Sequence, residues 1–168
     1  MSRSKKLIVT ALFLIGACIL LYPAVSNKLA ERHQAEMISR YEQTVEELPK
    51  TDMKSEWEKA VKYNESVTGM SVEDPFILGS GSVLPGNYKD VLNVEEKEGV
   101  MGYIEIPAID VMLPIYHGVS ERVLRRGVGH METTALPIGG KGTHSVLASH
   151  RGLSTAKLFT DLDRMKEG

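Results

Sequence analysis

SERVLRRGVGHMETTALPIGGKGTHSVLASHRGLSTAKLFTDLD, residues 120 to 163, sets one histidine between a strand-like run and a turn. His150 follows Ser145-Val146-Leu147-Ala148, which is short, apolar and β-forming, and precedes Arg151-Gly152-Leu153. An imidazole gives and takes protons near neutral pH, so a histidine projecting from a strand end is a candidate acid–base group. On chemistry alone, a structural or surface role is the more frequent one for a lone histidine at a strand end. Working outward, Val100–Ile106 (VMGYIEI) and Val111–Ile115 (VMLPI) also read as short strands. Pro107, Gly118 and the turn Gly139-Gly140-Lys141-Gly142 separate these runs. Ser120–Arg126 reads as one short helix, capped by Ser120 and ended by Gly127. Thr155–Met165 reads as another.

Upstream, residues 69–87 carry Gly69, Pro75, Gly79, Gly81, Pro85 and Gly86 with little periodicity. A loop of that length in a compact domain is often a functional lid. Before it, Asn27 to about Thr68 reads as a helical stem. Leu29, His33, Met37, Tyr41 and Val45 recur every fourth residue, with Leu48 close behind, and form one apolar stripe on a charged helix. Pro49 stops that helix, since it cannot continue the hydrogen-bond ladder. Thr51-Asp52 offers a fresh N-cap for a second helix running past Tyr63, on which Trp57, Ala60, Val61 and Asn64 share a face. The stripe serves either to pack the stem on the domain or to bind a partner.

At the N-terminus, Arg3, Lys5 and Lys6 precede the uncharged run Leu7–Val25 (LIVTALFLIGACILLYPAV). At ~1.5 Å per residue this run is roughly 28 Å long, enough for the hydrocarbon core of a bilayer. The preceding positive charges favour a cytoplasmic N-terminus and export of the remainder. A cleaved signal peptide is the competing reading. Ala24-Val25-Ser26 is a passable small-x-small site, but the run exceeds the ~7–15 residues of a usual signal core. Cys18, the only cysteine, lies inside this run, where it behaves as a small apolar side chain rather than a thiolate.

The 168 residues have room for one domain with extensions. A net charge of −2 offers no basic footprint for nucleic acid, and one cysteine excludes an internal disulfide framework. His117, His130, His144 and His150, with Asp110, match no compact zinc spacing, so no metal is expected; His117 and His130 read as hydrogen-bonded structural groups. Gly-Gly-Lys-Gly at 139–142 lacks the spacing of a phosphate-binding loop. Neither repeats nor low-complexity tracts are present.

Several motifs together resemble the sortases, the cysteine transpeptidases of Gram-positive surfaces. They are Pro114-Ile115-Tyr116-His117-Gly118, Gly127-Val128-Gly129-His130, Leu136-Pro137-Ile138-Gly139-Gly140, Ser149-His150-Arg151-Gly152-Leu153 and the run Lys157–Asp163. Asp74-Pro75-Phe76 ahead of them is similar to the lid of the pilin-polymerising class C group. The likeness covers about Asp74 to Glu167. It departs at Ser149, where glycine is common, and at Thr133-Thr134-Ala135, which replaces a more usual Gly-Thr-Ser.

The resemblance implies a mainly β sortase-type barrel of about eight strands, of which roughly the first half is here, preceded by a transmembrane helix and a helical stem. The implied order is a basic tail at 1–6, an anchor at 7–26, a stem at 27–68, a lid loop at 69–87 and the first portion of the catalytic domain at 88–168. It makes His150 the histidine that protonates the leaving amine and later activates the incoming one. Asp74, Pro75 and Phe76 become the lid, the ring covering the active-site thiol and the carboxylate pairing with a cleft cation; without the resemblance they read as a common turn. Leu136 and Pro137 fall in the wall region. The implied reaction cuts an LPxTG-like sorting signal and joins pilin subunits through a lysine amine, without a cofactor. The implied partners are pilin or surface proteins carrying such signals and, through the N-terminal helix, membrane lipid; the implied location is the outer face of the cell membrane. The family's thiol and arginine lie on later strands and have no counterpart in these residues; Arg151 is no substitute. The resemblance therefore implies a truncated, inactive chain whose half barrel folds poorly by itself. The alternatives are a non-catalytic binding or decoy protein and one half of a split enzyme.

Overall fold

The computed structural model describes residues 3–68, 86–94 and 99–166. Helix α1 (Arg3–Glu47) runs unbroken from the apolar segment into the stem, through Pro23. Pro49 separates it from α2 (Lys50–Val67). The expected cap at Thr51-Asp52 falls inside α2. Pro49 itself takes the cap position, its carbonyl accepting from the Asp52 and Met53 amides at 2.9 and 3.1 Å.

A four-stranded mixed sheet follows, in spatial order β1 (Val100–Ile106), β2 (Val111–His117), β3 (Val128–His130), β4 (Leu147–Ala148). β1 and β2 form an antiparallel hairpin from Ile106–Val111 to Val100–Tyr116, closed by a 3-10 turn at Pro107–Ile109 and by Asp110 in the left-handed region (φ 52°). β3 pairs parallel to β2 and antiparallel to β4. Strand β2 is buried at nearly every position because it is flanked by strands and covered on both faces. That explains a run without alternation. Pro114 is tolerated in this central strand because the ladder to β3 begins only at Ile115, one residue later.

The helix Ser120–Arg126 reduces to one turn, α3 (Glu121–Leu124), with Ser120 at the N-cap position but without a side-chain cap bond. The helix expected at Thr155–Met165 does not form. Turns and a short 3-10 segment (Leu162–Arg164) occupy it, and Leu158 sits in the left-handed region (φ 43°). Buried Leu158 and Phe159 pack on the core from this non-repeating backbone, so tertiary burial overrides the local helical pattern.

The main core joins Ala60, Tyr63 and Val67 of α2 to Met101, Leu113, Ile115, Val128 and Leu136. On α1 the face that docks is Gln34, Met37 and Ile38, all buried, with Tyr41 half-buried beyond them. Met37 packs on Val100 and Tyr116. The expected stripe is rotated: Leu29 and His33 point to solvent. A four-residue repeat advances about 40° beyond each full turn of a 3.6-residue helix, so its early members leave the face that Met37 and Tyr41 share. Likewise Tyr63 and Asn64 are buried on α2, while Trp57 is 54% exposed.

Candidate active site

His150 stands two residues beyond the end of β4, and three neighbours pin its backbone. Ser149 Oγ donates to the Gly127 carbonyl at 2.7 Å, tying the strand end to the start of β3. The His150 carbonyl accepts from the Phe159 amide at 3.1 Å. Gly152 turns the chain with a φ of 78°, and its amide donates to Thr160 Oγ1 at 3.2 Å. The turn segment that failed to become a helix is thus what clamps the histidine from below.

The imidazole is partly exposed, but its Nε2 atom is shielded from solvent. Glu121 Oε2, in the first turn of α3, approaches Nε2 to 3.3 Å, an ion-pair distance whose angle falls short of a hydrogen bond. Arg125 Nε holds the other carboxylate oxygen, Oε1, at 2.7 Å. That hydrogen bond is the main reason the Glu121 carboxyl lies below the usual range; desolvation opposes it, and the Arg125 and His150 charges add smaller contributions in its favour. Glu121 therefore remains an anion beside the ring. Nothing in the sequence links it to His150, since an acid opening a short helix reads as an ordinary N-terminal helix charge. Arg151 points elsewhere and pairs with Asp163 at 3.1 Å, so it leaves the imidazole alone.

Beneath the site lies a buried network on a second histidine. His130 is fully buried; its Nε2 faces the Ala135 carbonyl at 2.9 Å and its Nδ1 faces the Tyr88 hydroxyl at 2.9 Å. A carbonyl can only accept, so Nε2 carries the proton and Nδ1 accepts from Tyr88. Tyr88 in turn accepts from the Gly118 amide at 3.0 Å. Burial drives His130 down to about 4, and burial likewise pushes the Tyr88 hydroxyl well above its ordinary value. His117 sets Nε2 against the Val91 carbonyl at 2.8 Å. Both histidines are structural, and neither reaches His150. Among the described residues no three His, Cys, Asp or Glu side chains converge as metal ligands would.

The Leu136-Pro137 stretch is held by Asn64. Its Nδ2 donates to the Leu136 carbonyl at 3.2 Å and its Oδ1 accepts from the Leu136 amide at 2.7 Å, with both residues buried. Thr134 of the Thr-Thr-Ala segment binds the Met131 carbonyl and the Val146 amide, at 2.8 and 3.1 Å, and so aligns the strand leading to His150. Asp74, Pro75 and Phe76 lie outside the described residues. Cys18 sits on the exposed apolar part of α1, remote from this site.

Residues 104–168 match the family described as the sortase domain. Over that stretch the chain is similar to the sortases. Solved sortases bear the same fold. Sortase C of Streptococcus pneumoniae is 40% identical with a TM-score of 0.67, over 79% of this chain and 64% of that one. Sortase C1 of Streptococcus agalactiae is 37% identical with a TM-score of 0.67, over 78% and 65%. Among curated proteins, Sortase A of Listeria monocytogenes is 27% identical over 166 residues, 98% of this chain and 64% of that protein. The chain therefore spans a little under two thirds of the length of these relatives. The expected sortase fold is present as a partial, mixed β-sheet behind a long N-terminal helix. Among the described residues, α1 is also the one helix long and apolar enough to cross a membrane.

Proposed function

We propose that this chain supplies the anchor, stem and histidine-bearing part of a class C-like sortase, a cysteine transpeptidase acting on pilin or surface proteins with LPxTG-like sorting signals. The observation that carries the reading is the placement of His150. It is fixed at the end of a sheet strand, clamped by Ser149 and Phe159 and faced by Glu121, in a fold similar to a sortase C studied for its pilin substrate specificity. In this role His150 protonates the amine that leaves as a thioacyl enzyme forms, then takes a proton from the incoming lysine amine. Asp74, Pro75 and Phe76 form the lid over the thiol. Arg3, Lys5 and Lys6 hold the N-terminus in the cytoplasm, and α1 anchors the domain on the outer face of a Gram-positive membrane.

Covalent chemistry of this kind needs a thiolate and an oxyanion stabiliser beside the imidazole. Cys18 cannot serve. It precedes Ser26 by eight residues, or about 12 Å of helix, on the membrane side of the point where the domain first touches α1. The thiol and its arginine must come from polypeptide other than residues 1–168, in the same chain or in a second one. Reading the coding DNA past codon 168 in all three frames tests this. A β-strand ending in cysteine, followed by an arginine-bearing strand, supports the proposal. Should neither the locus nor a coexpressed partner encode them, the chain is a non-catalytic binding protein and the enzymatic reading falls.

A further inference from the structure

Helix α1 doubles as a ruler. It enters the domain directly after its apolar part, without a flexible linker, and each domain contact marks a height along it. The first contact is at Ser26, the residue after Leu7–Val25, whose Oγ donates to the Thr155 carbonyl at 3.3 Å. Gln34 Nε2 then donates to the Arg126 carbonyl at 3.2 Å, and Tyr41 to the Met101 carbonyl at 3.3 Å. At ~1.5 Å per residue these contacts lie roughly 12 and 22 Å beyond Ser26. Pro23 lies below the first contact, so any bend it causes does not alter the spacing above it.

Resting on the membrane-anchor reading above, we infer that the turn 153–156 forms a lipid-facing surface of the domain that sits in the headgroup layer of the outer leaflet. The headgroup layer adds about 5–7 Å on each side of the hydrocarbon core. Ser26 falls at its inner boundary, and Thr155 lies within hydrogen-bond reach of Ser26, so this turn has no room to stand clear of lipid. Its chemistry suits that position: Ser154 is exposed and Thr155 and Leu153 are half-exposed, while the nearby cations Lys28 and Arg151 are each paired with a carboxylate, Glu31 and Asp163, so the surface offered to the headgroups is polar without a net charge of its own. The same ruler sets the height of His150. Ser149 is bonded to Gly127, the neighbour of Arg126, which lies level with Gln34. His150 is thus linked through Ser149 and Gly127 to the level of Gln34, roughly 12 Å beyond Ser26 along α1.

The test uses the full chain in phosphatidylcholine–phosphatidylglycerol vesicles, with Cys18→Ser and one new cysteine at a time carrying an environment-sensitive fluorophore. Quenching by lipid spin-labelled at the headgroup is compared at three positions, Ser154, Lys28 and Lys50. Lys28→Cys calibrates the headgroup level from α1 alone, whatever the state of the domain. Lys50→Cys, at the start of α2 just beyond the far end of α1, marks bulk solvent. Leu12→Cys, read with acyl-chain spin labels, reports the anchor itself. The expected result is Ser154→Cys quenched to the Lys28 level and by about twofold or more over Lys50, given a headgroup layer of only 5–7 Å. A protected Leu12 label together with a Ser154 label that behaves like Lys50 would overturn the lipid-facing turn and leave the anchor standing. A Leu12 label exposed to water would overturn the anchor reading and this inference with it.

Discussion

Lowering the pH from 7 to 5 is expected to loosen the domain through His130. This ring is fully buried and neutral, its protonated Nε2 committed to the Ala135 carbonyl and its Nδ1 to the Tyr88 hydroxyl. In the folded chain it titrates at about 4, chiefly because burial disfavours the charge, against 6.5 when exposed. The unfolded state therefore binds a proton that the folded state refuses throughout the window from 6.5 down to 4. Stability is present above 6.5 and is lost as the pH falls through that window. Linkage over the full window amounts to about 3 kcal/mol, and the step from pH 7 to 5 to about 2 kcal/mol. With a urea slope of 1–3 kcal/mol per molar, the midpoint shifts by roughly 1 M. The assay is urea unfolding of the full chain in detergent micelles at both pH values, followed by the fluorescence of Trp57, the only tryptophan, which lines the apolar groove between α2 and β1. His130→Gln has no titrating ring, so it should be less stable at pH 7 yet lose most of the pH-dependent shift. An equal shift in wild type and His130→Gln would refute the argument.

Further expectations come from individual contacts. Asn64→Ala strips both partners from the buried Leu136 backbone, at about 1–3 kcal/mol for each unsatisfied group, and should lower the urea midpoint more than Trp57→Ala on the exposed face. Gly129→Ala would put a Cβ 2.4 Å from the Gly118 carbonyl oxygen in the β2–β3 contact, and overpacking of that kind typically costs about 1–3 kcal/mol or more, read by thermal melting. Ser149→Ala removes the bond to Gly127 at about 1 kcal/mol of stability, and in the active assembly it should lower kcat more than it raises KM, because it displaces His150 and not the substrate. Residues 1–168 incubated with a sorting-signal peptide should give no adduct at Cys18 by mass spectrometry, since that thiol lies about 12 Å along α1 from the nearest domain contact, on the far side from His150.

Much of the fold was legible because it rested on local signals. Pro49 ends α1 because proline cannot continue a helix, and the short β-forming runs around Pro107 and Gly118 became the β1–β2 hairpin and its exit. The segment Val128–His130 was recognised as a motif but not as a strand. Three residues carry too little periodicity, and only its pairing with β2 and β4 makes it one. The helix expected at Thr155–Met165 failed for the opposite reason: its local pattern is helical, but Leu158 and Phe159 must both reach the core while their backbone closes on His150. Of the site, His150 stood out by type and position. Glu121 did not, since a carboxylate 29 residues away in sequence becomes its neighbour only when the β2–β3 crossover brings α3 beside the end of β4. The Asn64–Leu136 clamp was likewise invisible, because an asparagine on an amphipathic helix reads as polar rim until its partner's backbone is found.

In the proposed reaction His150 is the acid–base group, and the thiol comes from polypeptide other than residues 1–168. The most direct measurement combines this chain with the thiol-bearing strands from its locus, in one polypeptide or two, and follows an LPxTG-like peptide and a lysine amine by mass spectrometry. The account expects a thioester adduct and amine transfer in the wild type. It expects His150→Ala to retain the fold and peptide binding while losing at least about a hundredfold in turnover, the lower end of what a positioned acid–base group contributes. Undiminished turnover in His150→Ala would contradict it.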